Sequence, residues 1–483
     1  MYKLERGKRE LFWDEFLTDA DNTTATLSVN RPHKCGVVME FDEDWEGGSC
    51  DYFSVWQDDD IYRMYYNAAG FPTVVPEGYP TTLKICYAES KDGIHWYKPN
   101  LGIINFEGSK DNNIILWHET DFFDNFYAFK DGNPKCLPEE KYKAVAECGF
   151  QGNLWGYTSP DAIHWTRRQM ITNKGKFDTL NIAFWDDKLQ RYCCYIRDFH
   201  DNEEIDKYGI RDVRYISSED FWNWTDPERI DFMGGDDIPL YTNNITPYYR
   251  NTDIRTGFPT RYLDHDLKLT KNYDRLTNRK TRMRWYQGEP RGGTTVTDCV
   301  FMSSRDGKNF RRFDEAWLTP GPEAGMNWVY GDCYPACGMV EIRDTDYPHA
   351  DNLIAMFCTE GKGFAKSKPA KMYMYTTRLD GFASYKATYK PQKLTTKTFT
   401  FEGNQLRLNF RTSGIGYVHI RVLDENDNFI EGFETCDIFG DKVDRPVDFE
   451  NGDISTLQGK PIKLEFNMSD AEIYSVIFTD DVI

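Results

Sequence analysis

The stretch "ESKDGIHW", residues 89–96, contains the turn that decides the fold. In such a turn the Ser90 and Asp92 side chains can bond backbone amides ahead of them, and Gly93 can adopt a positive φ. Trp96 supplies an aromatic ring that can pack beneath the turn. The pattern S-x-D-G-x-x-W therefore predicts a tight connection between two antiparallel strands.

The same pattern recurs along the chain. Its copies are "TSPDAIHW" at 158–165, "SSEDFWNW" at 217–224, "SSRDGKNF" at 303–310 and a weaker "TTRLDGFASY" at 376–385, in which Arg378 replaces the serine. The spacing between copies fits one small antiparallel sheet with its loops, and a strand-like run precedes each copy. Each motif is thus predicted to join the last two strands of a small sheet. Five such units predict an all-β protein with a five-bladed β-propeller.

Composition fits a large β-rich protein. The 483 residues are 40% hydrophobic and 16% aromatic, which is enough for a sizeable core and more than one domain. No window resembles a membrane span, and the N-terminal stretch lacks the apolar core of a signal peptide. Twelve cysteines without metal or disulfide spacing predict reduced thiols. We therefore expect a cytoplasmic protein.

The charge and the motifs narrow the function further. A net charge of −20 disfavours nucleic acid and anionic membranes as partners. The sequence contains no P-loop, dinucleotide fingerprint, H-E-x-x-H or EF-hand pattern. We therefore expect no cofactor and no metal.

Three regions are predicted along the chain. Residues 1–50 form an acidic lead-in that could supply a strand to close the ring. Residues 51–388 contain the five blades. Residues 389–483 change to short alternating runs such as "QLRLNFRTS" and "PIKLEFNM", which predict a C-terminal β-sandwich with a role in packing or carbohydrate contact.

The innermost strands of a propeller converge on a central channel, where a site can be assembled from several blades. Aligning each blade's first strand on the tyrosine that begins its second strand selects one residue per blade. Each lies eleven residues before its tyrosine: Asp51 before Tyr62, Asp131 before Tyr142 and Asn181 before Tyr192. Two carboxylates and an amide are therefore predicted to face each other.

Five blades, the repeated turn, an aspartate that opens blade one and a C-terminal sandwich resemble the glycoside hydrolases of families 32 and 43. The resemblance in blade architecture covers the region 51–388, and the sandwich extends it in the manner of family 32. The tail "LRLNFRTSGIGYVHIRVLD" also resembles the C-terminal region of poorly characterised bacterial family 32-like proteins. This resemblance implies a glycosidase that acts on oligosaccharides, including furanosides such as fructosides or arabinosides.

The resemblance also implies roles for single residues. Asp51 matches the nucleophile or base, and Asp131 matches the aspartate that stabilises the charged transition state. The glutamate acid of blade three has no counterpart, since no glutamate occurs between Glu147 and Glu203. The triplet "AEC" at 146–148 imitates a Glu-Cys pair of family 32 but falls inside a predicted strand. Asp178 in "FDTLN" is therefore the expected acid.

The candidates for substrate binding are Asn181, Glu46, Arg197, Arg261 and Asp332. The structural alternative is a solvated loop acid for Glu46, an ion pair for Arg197 and Arg261, and a turn residue for Asp332. A glycosidase needs a protonated acid and an opposing carboxylate, and clustered carboxylates raise the pKa of one member.

Two other functions stay open. A non-catalytic carbohydrate-binding propeller is favoured by the missing blade-three glutamate, because a lectin needs no acid. A sialidase-like hydrolase is disfavoured by its longer turn, S-x-D-x-G-x-x-W, by its six blades and by the acidic charge of this chain.

Overall fold

The computed structural model describes residues 2–47, 49–69, 83–118, 123–149, 152–200, 209–264, 271–288, 293–323, 327–361 and 369–480. These residues form five small antiparallel sheets, which are the blades of a propeller, one two-stranded sheet and one ten-stranded sheet. The predicted five-bladed β-propeller with a C-terminal β-sandwich is confirmed. All twelve cysteines are free thiols. Within the described ranges, no helix has the length and apolar character needed to cross a membrane.

The lead-in contributes strands to two different sheets. It contains β1 (Tyr2–Leu4), β2 (Glu10–Leu11), a 3₁₀ turn (Ala20–Asn22), β3 (Thr26–Val29) and β4 (His33–Glu40). The first three strands join the ten-stranded sheet, and β4 joins the propeller.

Blades one to three follow one another along the chain. Blade one comprises β5 (Ser49–Asp58), β6 (Ile61–Ala69), β7 (Leu83–Ser90), β8 (Trp96–Tyr97) and β9 (Ile114–Leu116). Blade two comprises β10 (Phe123–Lys130), β11 (Tyr142–Cys148), β12 (Asn153–Ser159) and β13 (Thr166–Thr172), with a 3₁₀ turn at Pro138–Glu140. Blade three comprises β14 (Ile182–Asp186), β15 (Arg191–His200), β16 (Ile210–Ser218) and β17 (Glu228–Arg229).

Blade four carries an excursion, and blade five closes the ring. Blade four is built from β18 (Thr246–Tyr248), β19 (Asn251–Gly257), β22 (Met302–Ser304) and β23 (Arg311–Arg312). Its excursion contains β20 (Thr260–Asp264), α1 (Lys271–Arg275), α2 (Arg279–Gly288) and β21 (Thr295–Cys299). Blade five contains β24 (Val340–Ile342), β25 (Leu353–Glu360), β26 (Lys371–Arg378) and β4 from the lead-in.

The lead-in closes the ring. Strand β4 pairs antiparallel with β26, so that Glu40 lies opposite Lys371. The inner strands of blades one and five also touch, because Val55 N donates to Cys337 O at 2.8 Å. The first and last blades are therefore joined at both their inner and outer edges.

The repeated turn joins the third and fourth strands of blades one to four, as predicted. In blade one Ser90 Oγ accepts a hydrogen bond from Gly93 N at 3.0 Å, and Asp92 Oδ1 accepts one from His95 N at 2.8 Å. The turns also link neighbouring blades. Tyr65 OH of blade one donates to Ala162 O in the turn of blade two at 2.9 Å. Repeating the turn thus repeats a contact between blades.

The fifth, degraded copy is the place where the chain leaves the propeller. Arg378, which replaces the serine, donates to Asn409 Oδ1 in the sandwich at 2.8 Å. Asp380 is fully buried and accepts hydrogen bonds from Tyr248 OH at 2.7 Å and Ser475 Oγ at 2.8 Å. The side chains of this turn therefore bind the sandwich and blade four, whereas the other copies of the turn lead into a fourth strand of their own blade.

The ten-stranded sheet folds on itself around one core. Its C-terminal strands are β27 (Ala383–Ala387), β28 (Gln392–Thr395), β29 (Phe399–Phe401), β30 (Gln405–Asp424), β31 (Phe429–Glu434), β32 (Asp441–Pro446) and β33 (Ile462–Thr479), with a 3₁₀ turn at Ile454–Leu457. Strands β30 and β33 pair along most of their length and shift register between Thr412 and Tyr417. Both halves of each strand bury apolar side chains in the same core. Strand β27 lies before the predicted boundary at residue 388 yet pairs in this sheet.

Candidate active site

Two first strands begin with an aspartate that faces the end of the second strand. In blade one Asp51 pairs with Asn67, and in blade two Asp124 pairs with Glu147. In both strands the register shifts immediately after the aspartate. Asp51 and Asp124 therefore occupy equivalent positions at the cavity end of their blades.

The residue after each aspartate has a left-handed backbone. Tyr52 has φ 54° and Asn125 has φ 58°, a conformation that costs roughly 1–3 kcal/mol for a residue with a side chain. Both side chains bind other blades: Tyr52 OH lies 3.0 Å from Tyr241 OH, and Asn125 Nδ2 donates to Phe177 O at 3.2 Å. These bulges hold the starts of the strands toward the centre, in the way that β-bulges redirect side chains near active sites.

The predicted equivalence of Asp131 with Asp51 is wrong. Asp131 follows the last residue of β10 and lies seven residues beyond Asp124, roughly 20 Å farther along the strand direction. Its Oδ2 lies 2.5 Å from Lys143 Nζ and accepts a hydrogen bond from Tyr192 OH at 2.7 Å. Counting back from the tyrosines failed because the hairpin loop has two residues in blade one and eleven in blade two.

Asp131 belongs to a series of links between blades at the outer ends of the first strands. Asp58 ends β5 and accepts a hydrogen bond from Tyr142 OH, at 2.8 Å, in the second strand of the next blade. Asp186 ends β14 and contacts Arg255 in the second strand of blade four. Asp131 and Tyr192 repeat this arrangement between blades two and three, so its observed role is structural.

The carboxylates of three blades meet around Asp124. Burial raises the pKa of Asp124 well above its ordinary value, and the negative charges of Asp178, Asp51 and Glu147 raise it further. Asn67 Nδ2 donates to Asp124 Oδ1, and Asn125 N donates to the same oxygen at 2.7 Å. The structure thus brings together Asp51 and Asp178 of the predicted set and adds Asp124 and Glu147.

Asp178 has a cationic partner. Arg197 on β15 is buried, and its Nη2 lies 3.4 Å from Asp178 Oδ2 while its Nε donates to Lys176 O at 2.9 Å. Burial opposes the charge of Arg197, but Asp178 and the neighbouring tyrosines outweigh it and raise its pKa. Arg197 is therefore at the cavity, in an ion pair with a residue of the site.

Asn181 shapes the segment that carries Asp178. Its Nδ2 donates to Phe177 O at 3.0 Å and to Thr179 O at 2.9 Å, which uses both amide hydrogens. Its Oδ1 accepts from Arg197 N at 3.4 Å. The predicted role of Asn181 in substrate binding is thus replaced by a positioning role.

Two predicted binding residues have structural partners. Glu46 is fully buried, and its carboxylate is bonded by Tyr66 OH and Lys98 Nζ, both at 2.7 Å. Arg261 forms a bidentate pair with Asp298, with Nε–Oδ1 at 2.6 Å and Nη2–Oδ2 at 2.5 Å. Neighbouring side chains of a strand point to opposite faces, so Arg261 points away from the face on which Tyr262 packs. The structural alternative, an ion pair, therefore holds for Arg261, whereas the solvated loop acid expected for Glu46 is wrong because Glu46 is buried and paired with Lys98.

Asp332 lies at the start of blade five. The next residue, Cys333, has φ 56°, as Tyr52 has a left-handed backbone after Asp51. Asp332 Oδ2 accepts a hydrogen bond from Val329 N at 2.9 Å, and burial raises the pKa of Asp332 to about 7. The side chain therefore closes a turn, which is its structural alternative, at the cavity end of the blade.

Tyrosines form the other side of the cavity. We define the tyrosine wall as Tyr52, Tyr241, Tyr262, Tyr330 and Tyr334. The ring centroids of Tyr241 lie 5.6 Å from Tyr262 and 5.4 Å from Tyr334, both in stacked orientation. These three rings are buried and cover one another, so Tyr52 and Tyr330, which are only partly buried, offer the aromatic surface on which a sugar can pack. The site thus has an acidic side from blades one to three and an aromatic side dominated by blades four and five.

Sequence reasoning missed Asp124, Asn67 and the tyrosine wall, and it set Glu147 aside because this residue falls inside a strand. A signal for Asp124 was present, because "FDNF" at 123–126 repeats the Asp-x-Phe of "CDYF" at 50–53. The tyrosines are far apart in sequence and carry no such local signal. Within the described ranges, no three His, Cys, Asp or Glu side chains are grouped so as to hold a metal ion.

Comparisons with known proteins give similarity in structure only. No protein-family model matches the chain, and no curated protein matches it. One similar solved structure is an N-acetylgalactosamine deacetylase from F. plautii in complex with blood group B trisaccharide, at 11% identity and TM-score 0.46, covering 75% of this chain and 96% of that chain.

Two further similar structures come from families that include glycoside hydrolases. One is from the GH130 family of mannoside phosphorylases, which contains glycoside hydrolases that target β-1,2 mannosidic linkages in Candida mannan (13% identity, TM-score 0.45, 74% of this chain and 96% of that chain). The other is a family 43 arabinoxylan arabinofuranohydrolase from Bacillus subtilis in complex with cellotetraose (11%, 0.38, 91% and 97%). Similarity at this level carries no function to this chain, and the resemblance to family 32 stays a prediction.

Proposed function

We propose that this protein is a glycoside hydrolase that cleaves oligosaccharides in the central cavity of the propeller. The observation that carries the proposal is the cluster of Asp51, Asp178 and Glu147 around Asp124, whose pKa is raised by burial and by these three carboxylates. A glycosidase needs one carboxyl group that keeps its proton and another that is ionised. A cluster of this kind supplies both.

Asp124 is the proposed proton donor. Its proton passes to the glycosidic oxygen as the bond between that oxygen and the anomeric carbon breaks. Asp51, at the equivalent position of blade one, is the proposed carboxylate on the other side of the sugar. It acts either as the nucleophile or as the base that removes a proton from water, and in both cases water completes the hydrolysis.

Asp178 takes a different role from the acid that the sequence predicted. Its partner Arg197 makes it part of an ion pair at 3.4 Å, whereas Asp124 receives only amide donors among the described residues. An ion pair is suited to binding sugar hydroxyls and to balancing charge, and a carboxyl with a raised pKa is suited to giving a proton. We therefore assign proton donation to Asp124 and substrate orientation to Asp178 and Arg197.

The test is a screen of aryl furanosides and pyranosides, including fructosides and arabinosides, with three variants. Asp51→Asn and Asp124→Asn are expected to abolish hydrolysis, and Asp131→Asn, at the other end of the same strand as Asp124, is the matched control. Release of the aryl group is measured against the amount of folded protein. Hydrolysis that survives both Asp51→Asn and Asp124→Asn would refute the proposed site.

The second candidate is a carbohydrate-binding propeller without catalysis. The observation that favours it is the ion pair between Asp178 and Arg197. Asp178 is the residue that the sequence predicted to be the acid of blade three, and this pair holds it as a charged carboxylate. This candidate predicts saturable sugar binding with no hydrolysis of any substrate in the screen. Calorimetric titration of the same sugars against the unmodified protein distinguishes the two functions.

A further inference from the structure

Arg211 extends over the tyrosine wall from blade three. It lies on β16 opposite Phe199 of β15, and its guanidinium carbon is 4.1 Å from the ring centroid of Tyr262 and 5.6 Å from that of Tyr241. The same carbon lies 5.2 Å from the centroid of Phe199. Three aromatic rings therefore fix the position of this cation at the cavity.

Arg211 has no polar side-chain partner in the part of the chain that the structure describes. Its Nε is covered from solvent without an acceptor. Its neighbour Arg197 lies over the same two rings, Tyr241 at 5.1 Å and Phe199 at 5.2 Å, but bonds Lys176 O and pairs with Asp178. Asp178 thus neutralises the guanidinium of Arg197, whereas no described residue neutralises that of Arg211.

We propose that Arg211 binds a carboxylate on the sugar, so that the substrate is an acidic glycan that contains a uronic acid. This inference rests on the proposed function and specifies its substrate. A guanidinium offers parallel N–H donors that match the two oxygens of a carboxylate. A guanidinium held between rings loses little freedom on binding, which favours affinity. Tyr52 and Tyr330, the partly buried members of the tyrosine wall, would contact the ring of the same sugar.

Because the site is lined by carboxylates, the position of Arg211 indicates how an acidic sugar would bind. The carboxylates of Asp51, Asp178 and Glu147 repel an anion, so an acidic sugar can enter productively only if its carboxylate is turned toward a local cation. Arg197 already has its counterion in Asp178. Arg211, on the aromatic side, is the cation that meets the requirement.

A free oxyanion such as inorganic phosphate offers the same oxygen pair to a guanidinium. Phosphate would bind without a sugar, and the tyrosine wall would then have no part in its recognition. A carboxylate on a sugar uses both features at once, which is why we favour it. The experiment includes phosphate as a separate arm.

The experiment measures binding and needs no turnover. Galacturonate and galactose, glucuronate and glucose, and inorganic phosphate are titrated into the protein by calorimetry. We expect at least one uronate to bind about 10- to 100-fold more tightly than its neutral sugar, as a charge-assisted pair of hydrogen bonds provides, with weaker binding at high salt. Equal binding of uronate and neutral sugar, or binding of phosphate alone, would overturn the proposal.

Two variants and one control separate recognition from folding. Arg211→Met should remove the preference for the uronate, and Arg211→Lys should retain part of it, because a lysine keeps the charge but loses the fork. Arg421→Met is the control, since Arg421 also lies over a ring, Phe429 at 4.4 Å, and also has a covered Nε without a partner, but belongs to the sandwich. A preference that survives Arg211→Met in folded protein, or disappears in Arg421→Met, would contradict the assignment.

The outcome is independent of whether the protein hydrolyses glycosides. If Asp51→Asn and Asp124→Asn show that the proposed catalysis is wrong, a uronate preference that depends on Arg211 still supports an acidic ligand. If catalysis is found and no uronate preference exists, only the substrate inference is refuted.

Discussion

The two ends of strand β10 use the same residue type for opposite purposes. At the outer end Asp131 faces Lys143, and both side chains are almost completely buried, at 0% and 3% exposure. At the cavity end Asp124 faces other carboxylates, and its pKa is raised by burial and by them. Charge balance therefore separates a structural aspartate from the proposed proton donor, and variants at the two ends should fail in different ways.

Replacement of Asp124 or Asp51, the aspartates at the cavity end of their blades, should affect catalysis most. Asp124→Asn or Asp51→Asn should lower kcat/KM by about 10²–10⁴-fold, the range typical of a lost acid or base. Unfolding in urea should show no loss of stability for Asp124→Asn, because the change removes a buried carboxyl from a like-charged cluster. A large drop in stability with intact turnover would reverse the roles of the two ends.

Replacement of Asp131, which is paired with Lys143, should affect folding instead of catalysis. Asp131→Asn removes the closer of two carboxylates from the buried Lys143 ammonium and leaves it with Glu140 Oε2 at 3.7 Å, so the free energy of unfolding should fall by about 2–3 kcal/mol, below the cost of a buried charge with no partner. Hydrolysis per folded molecule should stay near that of the unmodified protein. The double variant Asp131→Asn with Lys143→Met should recover much of the stability, and failure to do so would mean that the pair is not the source of the loss.

Stability and activity should depend on pH through Asp124, at the cavity end of β10, and the direction of the change is defined. Because the pKa of Asp124 is raised in the folded state, the folded protein holds this proton at pH values where the unfolded chain has released it. Stability should therefore fall as the pH rises above the unfolded value, and activity should fall as the pH passes the raised pKa. Urea unfolding and turnover at about pH 5, 7 and 9 check this, and Asp124→Asn should flatten the stability change.

The smallest expected effect concerns a repeated turn. Ser90→Ala removes the acceptor of Gly93 N and the hydroxyl that donates to Asp92 Oδ1, and it should cost about 1–2 kcal/mol, as the loss of hydrogen bonds in an accessible turn does. The cavity should be unaffected, so kcat/KM should not change. A loss of activity larger than the loss of folded protein would mean that the turns influence the site.

The blades could be predicted from the sequence because the turn is local. Ser90, Asp92 and Gly93 bond to one another within a few positions, so the pattern is visible wherever the turn forms. The start of a strand depends on pairing with a partner across a loop of variable length, and this length cannot be read from a tyrosine position. For that reason Asp51 could be placed at the cavity end and Asp131 could not.

The rest of the site depends on contacts between blades. Arg197 binds Asp178 only because the segment held by Asn181 turns back toward β15. Tyr241 meets Tyr52 across 189 positions of sequence. Such partners become neighbours only when the ring closes, so a single sequence without the fold does not identify them.

The pairing of the lead-in with late strands also sets an order for biogenesis. A ribosome releases β4 long before its partner β26, and it releases β1 long before β29, where Tyr2 lies opposite Phe399. The four blades between them can form while synthesis continues, but the lead-in must wait until the C-terminal strands emerge. Chains cut short at the C-terminus would therefore expose unpaired edges at both ends of the ring, where chaperones and proteases act.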